Sequence, residues 1–161
     1  MFRIKAEYTE QLELNTSLDQ AREFFGELKN FVDLMPGIES IKSEATGVVR
    51  WIVRTEVPVI GAMRANFAVE LTEDSPDRIE WSPASSEKKN YLRYAASFVE
   101  RSATSTLVRI TQHVELRRAQ AKELHLLAGL VGENRISNEM QKRVGEMMKT
   151  FIQRAKKKLE L

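Results

Sequence analysis

Apolar and polar residues alternate strictly near the start of the chain. Phe2, Ile4, Ala6, Tyr8, Leu12 and Leu14 share one parity, and Arg3, Lys5, Glu7, Thr9, Gln11 and Glu13 the other. This period of two predicts a half-buried β-strand over 2–14, with Glu10 as the one charged residue on the inward parity. The period then changes. Ser17 with Gln20, or Thr16 with Asp19, can form a capping box, and Leu18, Ala21, Phe24, Phe25 and Leu28 follow at helical spacing. A second short helix over Phe31–Leu34 ends at Met35-Pro36-Gly37, because proline cannot continue it and glycine turns the chain.

From 38 to 116 the pattern is that of successive antiparallel strands. They are expected over Ile38–Glu44, Val48–Val57, Met63–Leu71, Arg78–Ser82, Tyr91–Arg101 and Thr106–Leu116, with turns at Pro58-Val59-Ile60-Gly61, Asp74-Ser75-Pro76-Asp77, Pro83–Lys89 and Ser102–Ser105. Ala119–Leu127 has a helical pattern. Over 133–160, Ile136, Met140, Val144, Met147, Met148, Phe151, Ala155 and Leu159 form one apolar stripe, which predicts a long amphipathic helix. Helices at the two ends of an antiparallel sheet give an α+β class. Such a strand-rich sheet should curl, and the last helix is long enough to lie across its concave face.

Composition narrows this picture. A chain of 161 residues, 42% hydrophobic and 30% charged, is expected to form one folded domain over 1–161. With no cysteine it has no disulfide, thiolate nucleophile or cysteine zinc site, and a cytoplasmic location is expected. The net charge of +2 conceals an asymmetry: residues 1–115 carry a net −4 and residues 116–161 a net +6. One part of the fold should therefore be basic.

Three stretches carry a family likeness. They are Leu34-Met35-Pro36-Gly37-Ile38-Glu39-Ser40-Ile41; Thr55-Glu56-Val57-Pro58-Val59-Ile60-Gly61-Ala62-Met63, leading into Phe67-Ala68-Val69-Glu70-Leu71; and Gly129-Leu130-Val131-Gly132. In these stretches and in element order the chain resembles the START/SRPBCC superfamily, which includes the birch-pollen-allergen-like proteins. Within it the chain is most similar to the polyketide cyclase-like group that includes the CoxG-like proteins of carbon monoxide dehydrogenase. The resemblance covers nearly the whole chain, although its motifs are turns and packing positions. Segment 117–128 departs from it by looking longer and more helical. The resemblance implies a helix-grip fold, a curved antiparallel sheet of about six or seven strands wrapped on the C-terminal helix. It also implies an apolar cavity between them that takes a hydrophobic small molecule such as a fatty acid, a quinone or a polyketide.

The expected cavity wall is Trp51, Val53, Phe67, Val69, Trp81, Tyr94, Phe98 and Ile110 from the sheet, with Met140, Val144, Met147, Met148 and Phe151 from the helix. Flexible methionines suit a wall that adapts to its guest. The same stripes also fit a filled core. Glu10, Gln112 and Tyr94 are the polar candidates inside, and a carboxylate or phenol there can orient a ligand or act as an acid or base. Glu10 equally fits a position turned to solvent. His113 and His125 have no metal spacing, and the residues contain no phosphate loop or serine-nucleophile motif, so neither cofactor nor metal is expected.

The basic segment holds Arg117, Arg118 and Lys122, then Lys142, Arg143, Lys149, Arg154, Lys156, Lys157 and Lys158. It fits an anionic membrane surface or an acidic protein partner, or simply a solvated helix face. No stacking aromatics interleave these charges, which argues against nucleic acid. The leading expectation is a non-catalytic binding or carrier protein for a lipid-like molecule. A polyketide cyclase or dehydratase using Glu10 or Tyr94, and an adaptor docking an enzyme or membrane through the basic helix, are the alternatives.

Overall fold

The computed structural model describes residues 1–160. Strand β1 (Phe2–Leu14) leads into helices α1 (Leu18–Gly26) and α2 (Leu28–Leu34). Strands β2 (Ile38–Ser43), β3 (Val49–Val57), β4 (Gly61–Ser75), β5 (Arg78–Pro83), β6 (Asn90–Ser102) and β7 (Ser105–Arg118) follow. A 3₁₀ turn (Ala121–Glu123) and helix α3 (Ala128–Val131) precede the long helix α4 (Glu133–Leu159). The seven strands form one antiparallel sheet in the order β1-β7-β6-β5-β4-β3-β2. The α+β class expected from the alternation is therefore present, in the helix-grip arrangement that the resemblance implies.

Local chemistry explains the boundaries. The Ser17 side chain accepts from the Gln20 backbone N–H at 3.2 Å and caps α1. The reciprocal arm of the capping box is absent, because the Gln20 side chain instead accepts from the Thr16 hydroxyl at 2.8 Å. Glu27 takes an extended backbone that ends α1, and its carboxylate accepts from Lys29 N–H to cap α2. The second helix therefore begins at Leu28, earlier than the apolar spacing indicates.

Helix α4 runs beside the edge strand β1 in the same direction. Ser137 accepts from Lys5 N–H at 3.2 Å, and the Gln141 side chain accepts from Glu7 N–H at 2.8 Å while donating to the Glu7 carbonyl. Two α4 side chains thus satisfy backbone groups that the open edge leaves unpaired. Segment 119–127 does not form the expected helix. It lacks a continuous apolar stripe to bury, with Leu126 and Leu127 exposed; only the 3₁₀ turn forms there, and the single turn of α3 follows it.

The register defines two ends of the sheet. Phe2 pairs with Arg118, Asn90 with Leu116, and Val57 with Gly61, all at the end where β1 and α4 begin. We call this the proximal end. At the other, distal end, Leu14 pairs with Thr106. The interior is filled by aromatic rings packed around Phe31 of α2, whose ring centroid lies 4.7 Å from Phe151, 4.8 Å from Tyr94 and 5.2 Å from Trp51. Phe25 extends the cluster to Phe98 at 6.1 Å, and Phe24 stacks on Phe151 at 6.2 Å. Phe31 is about 1% exposed and touches three ring partners. Phe31→Ala should therefore cost about 3–5 kcal/mol in urea unfolding, near the top of the range for large-to-small core changes. A cost under about 1 kcal/mol would show that the rings repack without it.

Candidate functional site

The aromatic cluster leaves a space open on its proximal side. It is a slot of about 40 Å³ between α4 and the sheet. Val53 and Thr55 come from β3, Met63, Ala65 and Phe67 from β4, Leu92 from β6, and Gln112, Val114 and Leu116 from β7. Met140, Val144, Met147 and Met148 of α4 close it, with Met35 and Ile38 from the turn before β2. The chain has six methionines, and all except Met1 line this slot.

The turn that delivers Met35 and Ile38 depends on Gly37. Its φ is +89°, and a Cβ there would lie 2.7 Å from the Arg54 carbonyl oxygen and 3.1 Å from Met147 Cε. The Arg54 N–H donates to the Gly37 carbonyl at 2.7 Å, so the turn is pinned to β3. Glycine is required on both conformational and steric grounds.

Polar groups on the wall are few. The Gln112 side chain is 7% exposed, and no hydrogen bond among the described residues uses its amide. Gln112 lies opposite Tyr8 on one side and Tyr94 on the other, a three-strand row across the sheet. The row lies between the aromatic rings and the slot. The Tyr94 hydroxyl donates to the Phe25 carbonyl at 3.2 Å, and burial pushes it far above the ordinary phenol range. Tyr94 thus braces α1 and does not reach the slot.

The other expected wall residues divide as follows. Val53, Phe67, Gln112, Met140, Val144, Met147 and Met148 meet at the slot. Trp51, Val69, Phe98, Ile110 and Phe151 are packed solidly into the core with Tyr94. Trp81 lies elsewhere, because β5 is covered by the α1–α2 elbow rather than by α4; it lines outer grooves beside Gly26, Glu27 and Leu28. Glu10 is half-buried on β1 with its Oε2 buried and without a partner, and it is not on the slot wall. Met35, Ile38, Met63 and Ala65 are slot residues that the aromatic stripe did not point to. Met63 and Ala65 share the parity of Phe67, and what singles them out is their place toward the proximal end of β4.

The histidines are accounted for locally. His113 Nδ1 lies 3.2 Å from Glu7 Oε2, and His125 Nδ1 accepts from the Leu127 N–H at 3.0 Å. Among the described residues no group of three or more His, Cys, Asp or Glu could hold a metal ion. No described helix is long and apolar enough to cross a membrane.

No protein-family model matches the chain, and no curated protein matches it. Solved structures do. A START superfamily protein from Mycobacterium smegmatis superposes with a TM-score of 0.61 at 13% identity, covering 96% of this chain and 97% of that one. A protein from Deinococcus radiodurans gives 0.57 at 16% identity, covering 96% and 98%. The di-domain ARO/CYC BexL of the BE-7585A biosynthetic pathway gives 0.63 at 12% identity; 98% of this chain matches only 51% of that one, so the chain spans about half its length. The chain therefore has the helix-grip fold that these structures share. At these identities the likeness is one of architecture.

Burial, reinforced by the Glu10 carboxylate beside it, pushes the Tyr8 hydroxyl from its ordinary 10.0 up to about 12. The folded state then keeps this proton where the unfolded chain loses it. The contribution to stability is complete below pH 10.0 and is lost as pH rises to about 12. Tyr8→Phe should shrink the alkaline loss of stability across that window. It should also remove one high-pH group from the phenolate absorbance titration, and an unchanged titration would contradict the assignment.

Proposed function

We propose that this protein is a non-catalytic binding or carrier protein for a lipid-like hydrophobic small molecule, held in the slot between the sheet and α4. The observation that carries the reading is the convergence of Met35, Met63, Met140, Met147 and Met148 on one small space beside the unpartnered amide of Gln112. At about 40 Å³ the slot is roughly a tenth of the volume of an ordinary small-molecule pocket. A guest therefore enters by pushing methionine side chains aside. Thioether chains have three rotatable bonds and re-pack at low cost, so the wall opens where the ring cluster cannot. Burial of the guest would contribute about 25 cal/mol per Å² before ordering costs. Gln112 and Thr55 would orient its polar end, a fatty acid carboxyl, a quinone oxygen or a polyketide carbonyl.

Solved structures of similar fold include the ARO/CYC BexL and the aromatase/cyclase Zhui, which keeps polyketide-like guests within this reading. What supports a carrier over a cyclase is the chemistry of the wall. Gln112 and Thr55 are neither acids nor bases near neutral pH. Tyr94 is committed to the Phe25 carbonyl, and Glu10 lies off the wall. We take residues 1–161 to act as one such unit, working in the cytoplasm. The closer likeness to the CoxG-like group belongs to this proposal as well.

Protein purified under native conditions should release a lipid on solvent extraction, or gain thermal stability from a member of a fatty acid, quinone and polyketide panel. Ala65→Leu, which fills the slot, should abolish both effects while leaving the fold intact. If no guest is retained and no compound shifts the melting temperature, the reading fails. Gln112→Leu should weaken guests with a polar end by on the order of tenfold while sparing wholly apolar ones, as loss of one buried hydrogen bond requires.

A further inference from the structure

Among the described residues seven large hydrophobic side chains are exposed, and five of them, Met1, Val59, Leu126, Leu127 and Leu130, lie at the proximal end. Met1 precedes β1, Val59 is in the β3–β4 hairpin tip between Val57 and Gly61, and the leucines belong to the segment that follows β7. Leu126 and Leu130 are each 86% exposed. Their neighbours explain why. Leu124 and Val131 pack against the core and Ala128 is fully buried, so these anchors hold the segment down and turn Leu126 and Leu130 outward. Val59 is 64% exposed with φ of +73°, the only non-glycine in the described chain with positive φ. A β-branched residue is strained there, and Gly or Asn would sit more easily. The hairpin thus keeps an apolar side chain at its tip against both hydration and backbone preference.

Cations share this end of the fold. Arg3, Lys88, Lys89, Arg118, Lys122 and Arg135 form no salt bridge among the described residues. The Arg118 guanidinium donates to the Lys89 carbonyl, so the β5–β6 turn and the end of β7 bring their charges together. Three carboxylates that form no salt bridge among the described residues, Glu87, Glu123 and Glu133, stand at the same end and keep their charge, so the six cations leave it net positive. Burial acts to raise Glu87, but the backbone N–H groups of Asn90, Lys89 and Lys88 outweigh it and hold its carboxyl below the ordinary range. Glu123 accepts from Ala119 N–H.

We propose that the proximal end is a docking surface for a lipid bilayer carrying anionic headgroups. Leu126, Leu130 and Val59 enter the interface, and the surrounding lysines and arginines meet the headgroups. Apolar anchors within a basic surround suit such a surface. The anchors stand on separate protrusions, which a fluid bilayer accepts without matching pockets. The basic last turn of α4, Lys156, Lys157 and Lys158, lies at the opposite end and complements the helix dipole instead. The docking surface does not require the slot to hold a guest, and the test reads membrane association alone.

The test is co-sedimentation of the full chain with phosphatidylcholine vesicles, with and without phosphatidylserine. The expected result is binding that needs phosphatidylserine and weakens as salt rises. The double variant L126D/L130D should lower it by on the order of tenfold or more, and K88E/K89E comparably. K157E/K158E should change it by less than about twofold. V59N, which suits the left-handed backbone, should fold at least as well and still bind vesicles less. Absence of binding to phosphatidylserine vesicles at low salt would overturn the proposal. So would binding unaffected by L126D/L130D, or binding lost in K157E/K158E. Self-association of the unmodified chain that L126D/L130D abolishes, without vesicle binding, would assign the face to a second copy instead.

Discussion

The packing of aromatic rings around Phe31 is the constraint on which the rest of the structure depends. A helix of seven residues cannot hold its place by propensity alone. The stack of Phe31 on Phe151 and its edge contact with Tyr94 tie α2 to α4 and to the sheet at once. These rings fill the space under the distal half of α4. Whatever room the fold keeps for a guest must then be proximal. It is found there, between strand residues near the proximal end and the stretch of α4 from Met140 to Met148.

The two halves of the interior differ in mechanical character. Rings with few rotamers pack densely and resist rearrangement. The methionines on the other side are long, unbranched and soft. Gln112 sits where the two meet, level with Tyr8 and Tyr94. The Phe25 carbonyl occupies the Tyr94 hydroxyl, while the Gln112 amide has no protein partner among the described residues. A polar group in this position disfavours complete collapse of the slot and gives an entering molecule one direction to face. Gly37 fixes the far side by letting the turn approach β3 closely enough to deliver Met35 and Ile38.

Period-two and period-3.6 patterns made most of the architecture legible in the chain. The alternation over 2–14 and the stripe from Ile136 to Leu159 matched β1 and α4 closely, because both elements are half-buried and their faces are marked. Segment 119–127 misled, since its leucines look like a helical face, yet Leu124 packs inward while Leu126 and Leu127 are exposed. The site was legible only in part. Parity identified which residues face inward, and of those Val53, Phe67, Gln112 and the α4 methionines line the slot. It carried no information on where along each strand the rings would stop. Trp51, Phe98 and Phe151 therefore read as cavity wall although they are packed core, and Met63 and Ala65, on the inward parity of their strand, were not singled out as wall. Trp81 faces the same side as Tyr94, but the α1–α2 elbow covers it, and no local pattern encodes which helix covers a strand.

The central claim is that the methionine side of the interior opens for a guest while the aromatic side stays shut. Carbon-labelled methionine methyl groups, followed by NMR as a medium-chain fatty acid is added, test it most directly. The account predicts that the signals of Met35, Met63, Met140, Met147 and Met148 move together while that of Met1 stays in place, and that ring signals of Phe31 and Phe25 hold their positions. Methionine signals that remain fixed across fatty acid, quinone and polyketide additions, or a guest that displaces the Phe31 ring instead, would contradict it.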